Sequence, residues 1–363
     1  MLFSDYIRGD ELPKSLILEG GNVQIKSEAA QHIDLTTHKR DDVSGLIMKS
    51  LVAINQAFKE DMGLYLWKPS YLKQGEVFSG STKHFFDKAI TAEEFVKHKK
   101  SVGDIDLMVD ENMKEQIRAF LEANEDKSFE HLTMIGSKPA GDQTITLWKL
   151  DPTGINVQMD FEFVGFHNEK PTEWSQFSHS SAWEDLQSGI KGAFHKLLMT
   201  SLMGHKKVDS ILQMKTKQKE IKASLNALSI KGLRKKFEKI GEQDGKPVIR
   251  ETGSKDWVTN FYAIMQEVFS IEATASDVEK FYTFNGILAL MKAHLDKDKI
   301  EKILESFAEK LWGPEAQGLY RGEPNRDFEE KSTAFHFAED KLDVTYDAEE
   351  LEKLQVEYYS RYK

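Results

Sequence analysis

The sequence predicts an α/β (α+β) core followed by a largely helical C-terminal region. Short runs within residues 76–190 alternate apolar and polar side chains, the period of a strand, and helix-like segments separate them. Residues 183–300 space their apolar side chains mainly at helical intervals. Over 363 residues, 40% apolar and 10% aromatic side chains supply a real core, for roughly two or three units at about 100–200 residues each.

The first 75 residues form an N-terminal region with no role assigned by pattern. It contains a helical stretch, Val43–Lys59, stopping near Gly63, and a glycine pair in Glu19-Gly20-Gly21-Asn22 that reads as a hairpin turn or, less well, a phosphate loop. Residues 76–190 form the core. Strands are expected at Glu76–Ser79, Asp104–Val109, Thr144–Leu150 and Asn156–Val164, and helices at Ala92–Lys100 and Glu111–Asn124. Residues 191–300 read as a basic helical lobe with one hairpin at Asp244-Gly245, flanked by Phe237–Ile240 and Pro247–Arg250. Residues 301–363 form an acidic C-terminal region ending in a helix, Ala348–Tyr359.

Sixty acidic against 49 basic side chains give a net charge of −11. This total hides a partition. From Lys191 to Ile240 there are thirteen Lys or Arg and three acids, a +10 window that leaves −21 for the rest. Its lysines are interleaved with Leu, Ile, Met and Phe, which reads as amphipathic helices with one basic face. A solvated helix surface has the same pattern, but the contrast with an acidic remainder favours a polyanion. Lys231, Arg234, Lys235 and Lys236 are the candidate nucleic-acid contacts.

Several chemistries are excluded. The chain has no cysteine, so thiol catalysis, disulfides and Cys-ligated metals are out. It has no His-Glu-x-x-His, no Gly-x-Ser-x-Gly, no Walker A and no Gly-x-Gly-x-x-G pattern. Its start lacks a secretory pattern, and apolar runs of four or five residues fall far short of the roughly 20 needed to span a bilayer. A soluble, cytoplasmic protein with no membrane partner is expected.

The informative residues are carboxylates. In Asp104-Ile105-Asp106-Leu107, a strand places Asp104 and Asp106 on one face, with apolar neighbours on the other. Two carboxylates this close resist joint ionisation unless a cation lies between them. All-oxygen ligands favour Mg²⁺ or Mn²⁺. In Asn156–Val164, Asp160 lies on the polar face of a strictly alternating strand and would complete a three-carboxylate site if that strand pairs beside the first. A strand with one wet face would alternate in the same way. Upstream, Phe78-Ser79-Gly80-Ser81 reads as a strand end entering a helix, where backbone N–H groups and a hydroxyl could meet phosphate oxygens.

Across about residues 76–200 these features resemble the nucleotidyltransferase superfamily of DNA polymerase beta and the CCA-adding enzymes. The shared pattern is an apolar strand with Gly-Ser, a helix, Asp-x-Asp, and a later third Asp. One departure is the 22-residue separation of Ser81 from Asp104, about twice the usual gap, which requires an insertion in Lys83–Gly103. The resemblance implies a core with a mixed sheet, in which Asp104 and Asp106 bind two Mg²⁺ ions and Asp160 ligates the catalytic one. It also implies that Gly80, Ser81 and basic residues of a following helix, Lys191 and Lys196, bind the nucleotide. The expected reaction transfers a nucleoside monophosphate from a nucleoside triphosphate such as ATP to a hydroxyl, releasing pyrophosphate. A nucleic-acid acceptor, RNA such as tRNA foremost, is favoured by the basic window. A toxin-like or antiviral transferase acting on protein or a small molecule, a metal-dependent phosphohydrolase, and a non-catalytic nucleic-acid-binding protein are the alternatives.

Overall fold

The computed structural model describes residues 23–361, apart from 180, 205–206, 214–217, 225, 230–231, 253–256 and 320–322. The chain divides into two compact units, with the break between Gln187 and Ser188. The Gly20-Gly21 turn and Lys231 lie outside the described residues.

The first unit is built on a five-stranded mixed sheet. Its strands are β1 (Asp104–Asp110), β2 (Ser128–Phe129), β3 (Leu132–Ala140), β4 (Gln143–Leu150) and β5 (Ile155–Val164), in the order β1-β5-β4-β3-β2. Strands β2 to β5 form an antiparallel meander, while β1 joins β5 in parallel. Its helices include α1 (Arg40–Met62), α2 (Pro69–Gln74), α3 (Thr82–Phe86), α4 (Ala92–His98), α5 (Lys114–Ala123), α6 (Glu173–His179) and α7 (Trp183–Gln187).

Helix α1 buries Val43, Ile47, Leu51, Ile54 and Phe58, a three-to-four spacing that makes one apolar stripe. It stops at Gly63, whose φ of 77° closes the last turn with an N–H bond to the Lys59 carbonyl. That stripe, the apolar side chains Ile105, Leu107, Met159 and Phe161 of the sheet, and Ile117, Phe120 and Leu121 of α5 form one core. Each such side chain contributes about 1.5–3 kcal/mol by leaving water.

One expected strand is absent here and one strand is new. Glu76–Ser79 is not a strand: it makes a single antiparallel bridge, Phe78 to Leu107. Gly75 and Gly80, both at positive φ, turn the chain on either side of it. The segment is still fastened to β1, since Met108 N–H donates to the Val77 carbonyl at 2.8 Å and Ser79 N–H to the Asp106 carbonyl at 3.2 Å. Strand β3 was not legible, because a bulge between Met134 and Gly136 and a proline at 139 interrupt its alternation.

The second unit starts with α8 (Gly192–Gly204). The basic window then departs from the expected helices. It forms β6 (Lys207–Gln213), β7 (Gln218–Ser224), β8 (Asn226–Ser229), β9 (Gly232–Lys235) and β10 (Phe237–Gln243), followed by β11 (Lys246–Glu251). Four of these make a sheet in the order β7-β6-β11-β10, and β8–β9 pair separately. Apolar residues here are too sparse to sustain a helical stripe, whereas Leu212, Ile221, Phe237 and Ile249 meet as a small core when the chain is extended. The β10–β11 hairpin turns at Asp244 (φ 51°) and Gly245 (φ 73°), two left-handed residues suited to a type I′ turn. Helices α9 (Phe261–Phe269), α10 (Ala275–Phe281), α11 (Phe284–His294), α12 (Lys297–Trp312), α13 (Pro324–Leu342) and α14 (Ala348–Ser360) complete the unit. Asn260, Thr274, Thr283, Asp296 and Asp347 cap five of them with side-chain bonds to backbone N–H groups. No helix among the described residues is long and apolar enough to cross a membrane.

Candidate metal centre

The parallel register of β1 and β5 sets Asp104 opposite Gln158, Asp106 opposite Asp160 and Met108 opposite Glu162. Side chains two apart share a face of the sheet, so Asp104, Asp106, Gln158, Asp160 and Glu162 line one side while Ile105, Leu107, Met159 and Phe161 enter the core. One carboxylate oxygen from each of Asp104, Asp106 and Asp160 lies within 4.8 Å of the others. The expected polar face of β5 is not wet at its centre: Gln158 and Asp160 are buried.

Neighbouring side chains hold this arrangement. Gln158 Nε2 donates to both oxygens of Asp160, at 3.0 and 3.1 Å. Ser79 Oγ donates to Glu162 Oε2 at 2.5 Å. Thr82 Oγ1, at the start of α3, accepts from Asp106 N–H at 3.1 Å and donates to the Asp104 carbonyl at 3.3 Å. That clasp fixes the backbone of the Asp-x-Asp pair.

Burial pushes the Asp106 carboxyl well above its ordinary range, and the charges of Asp104, Glu162 and Asp160 push it further. Lys99 opposes them. Asp160 is raised by burial and by Asp104 and Glu162, against the Gln158 hydrogen bond. Protons or a cation must therefore neutralise this face for it to persist at neutral pH. Three oxygen ligands converging within 4.8 Å, with too little positive charge among them, suit a hard divalent cation.

Gly80 and Ser81 lie against this face, but with a different task for the glycine. Gly80 N–H donates to the His179 carbonyl of α6 at 2.5 Å, so it is not presented to a phosphate. Its φ is 55°, and a Cβ there would lie 2.5 Å from Asp106 Oδ2. Glycine is needed so that the turn can press against the carboxylate. Ser81 precedes α3, and its hydroxyl accepts from Lys99 Nζ. Helices α3 and α4 occupy the expected insertion, and together they return the chain to β1.

The other sequence candidates belong to the second unit. Lys191 pairs with Glu330 at 3.0 Å. Lys196 lies on α8, beside His195, whose imidazole burial pushes down to about 4. Arg234 and Lys235 are on β9 and Lys236 follows, with the Arg234 guanidinium 4.9 Å from the centre of the Trp257 ring. Sequence reasoning missed Lys99, Thr82 and the clamping role of Gln158. Lys99 stands in a Lys97-His98-Lys99-Lys100 run that looks like an ordinary solvated helix end.

The chain matches no family model, no curated protein and no solved structure.

Proposed function

We propose that this protein is a metal-dependent nucleotidyltransferase, transferring a nucleoside monophosphate from a nucleoside triphosphate to a hydroxyl acceptor and releasing pyrophosphate. The observation that carries the reading is the convergence of Asp104, Asp106 and Asp160 within 4.8 Å on two parallel strands in register. The Gly80-Ser81 turn pressed against Asp106 supports it.

In this reading Asp104, Asp106 and Asp160 hold Mg²⁺ or Mn²⁺. Such an ion, when bound, neutralises phosphate oxygens and makes the acceptor hydroxyl more acidic. The acceptor oxygen forms its bond to the α-phosphorus as the bridging bond to the β-phosphate breaks, and pyrophosphate leaves with the electron pair. Asp160 would take the hydroxyl proton, and Gln158, which donates to both of its oxygens, would keep the carboxylate oriented. Ser81 offers its hydroxyl to the phosphate chain. Arg234, Lys235 and Lys236 form the phosphate-gripping stretch for a polynucleotide acceptor, RNA foremost, and the Arg234–Trp257 pair adds a flat aromatic surface beside it.

The test is incubation with each α-labelled nucleoside triphosphate and Mg²⁺ or Mn²⁺, in the presence of total RNA, DNA or protein, with Asp104→Asn as the control. Label should move to one acceptor class, and the variant should not transfer it. Release of orthophosphate instead of pyrophosphate would replace the reading with a phosphohydrolase. Label reaching no acceptor, with no pyrophosphate formed, would sink the reading.

A further inference from the structure

Lys99 is placed by a rigid frame. Helix α4 is capped by Thr91, whose hydroxyl accepts from Glu94 N–H at 3.1 Å. It is anchored by Phe95, which is fully buried, packs on Phe85 and Trp183, and lies under the Arg40 guanidinium. Lys99 N–H closes that helix on the Phe95 carbonyl at 2.8 Å, and the next carbonyl, of Lys100, accepts from Leu35 N–H at 2.9 Å. With its backbone fixed on both sides, the side chain runs to Ser81 and donates to the hydroxyl. Ser81 follows Gly80, the residue pressed against the Asp106 carboxylate. The ammonium is thus held beside the acidic face, yet among the described residues its bond is to a neutral hydroxyl and not to a carboxylate. An ammonium has three donors, and the hydroxyl takes one.

Resting on the nucleotidyltransferase reading, we infer that Lys99 is a tethered counter-ion that couples the metal site to a polyphosphate. Its positive charge partly offsets the acidic face and repels an incoming divalent ion while no anion is present. A polyphosphate reverses that sign. The ammonium then bonds phosphate oxygens, and the same chain of phosphates attracts the metal, so each ligand favours the other. Ser81 keeps the side chain parked where this exchange takes place. The pairing discriminates against free metal and in favour of metal carried with phosphate.

The test uses the whole chain and two probes, Mn²⁺ alone and tripolyphosphate in the presence of Mn²⁺, followed by calorimetry and by the Mn²⁺ spin-resonance signal. Lys99→Met should bind Mn²⁺ alone about fivefold more tightly than the parent and bind tripolyphosphate about tenfold more weakly. Lys99→Arg, which keeps the charge, should behave like the parent in both. Lys99→Gln serves in place of Lys99→Met should the latter fail to fold. Mn²⁺ binding that is unchanged or weaker in the uncharged variants overturns the inference about Lys99 alone. A parent protein that binds no Mn²⁺, or an Asp104→Asn variant that binds it equally well, overturns the metal centre itself and this inference with it.

Discussion

Asp160 in the first unit and Asp327 in the second are both buried carboxylates, but their surroundings are opposite in kind. Asp327 accepts from Tyr358 Oη at 2.5 Å and Leu319 N–H at 2.6 Å, and the Lys331 ammonium lies 3.2 Å away. Lys331 is itself buried and completes its bonds to the Gln317 carbonyl and Tyr358 Oη. Asp160 instead shares its face with Asp104, Asp106 and Glu162. The Asp327 cluster is closed by internal charge and serves to fix α13 against α14. The Asp160 cluster is left with excess negative charge, which stability alone would not select. Where a fold keeps like charges together under burial, the missing partner is looked for outside the chain.

The contrast breaks most sharply under substitution. Asp104→Asn or Asp106→Asn should lower nucleotidyl transfer by about a thousandfold or more. The melting temperature should hold or rise, because a like charge has been removed. A fall in melting temperature with activity retained would mean the acidic face is structural. Lys331→Met should do the reverse, costing about 3–5 kcal/mol in denaturant unfolding by leaving Asp327 uncompensated, with transfer by the folded protein unchanged. Adding Asp327→Leu to it should recover most of that loss. Failure of the double variant to recover would show that the pair is not self-contained.

Acid should pull the two units in opposite directions. Burial holds His195 at about 4, so between its ordinary 6.5 and about 4 the unfolded chain takes a proton that the folded unit refuses. Stability of the second unit therefore falls as pH drops through that window, by about 3 kcal/mol, and His195→Gln should remove the slope. Asp106 and Asp160 are raised above the ordinary carboxylate value of 3.8, so the folded first unit keeps protons that the unfolded chain releases. Metal-free, its stability should fall as pH rises through the raised values, and Asp106→Asn should flatten that slope. Hydrogen exchange read separately over the two units, with chelator present, distinguishes the opposed slopes from a common one.

Gly80→Ala offers a smaller and more local disturbance. The added methyl would have to displace the Asp106 carboxylate or twist a backbone at φ 55°. A shift of about 1 Å at the reacting centre costs roughly a hundredfold in rate. The expected result is that loss in turnover with a smaller change in the melting temperature; unaltered turnover would remove the turn from the site.

These residues also mark what a linear reading can reach. Asp104, Asp106 and Asp160 were legible because alternation along a strand is local, and the residue types state their chemistry. That β1 and β5 pair in parallel with Asp106 facing Asp160 is set by packing over 50 intervening residues, and no pattern in either strand encodes it. Lys99 was invisible for the same reason, since only the fold of α3 and α4 carries it back to Ser81. In the basic window the spacing of charged and apolar residues predicts helices throughout, whereas among the described residues only Gly192–Gly204 is helical and the chain is extended from Lys207. Too few apolar residues stood there to decide, and sheet pairing through Leu212, Ile221 and Ile249 decided it instead.

That change of period alters the smallest prediction. On a helix, Arg234 and Lys235 are near neighbours and substitutions should act alike. On β9 successive side chains alternate, so Lys235 points away from Arg234, which lies against Trp257, while Lys236 lies past the end of the strand. If the Arg234–Trp257 side grips a polynucleotide, Arg234→Glu should weaken RNA binding several-fold and lower the salt slope by about 1. Lys235→Glu should do markedly less. Binding measured across a salt series checks this directly. Equal losses would mean that both sides contribute only diffuse attraction, and no loss from either would remove this strand from the acceptor site while leaving the carboxylate centre untouched.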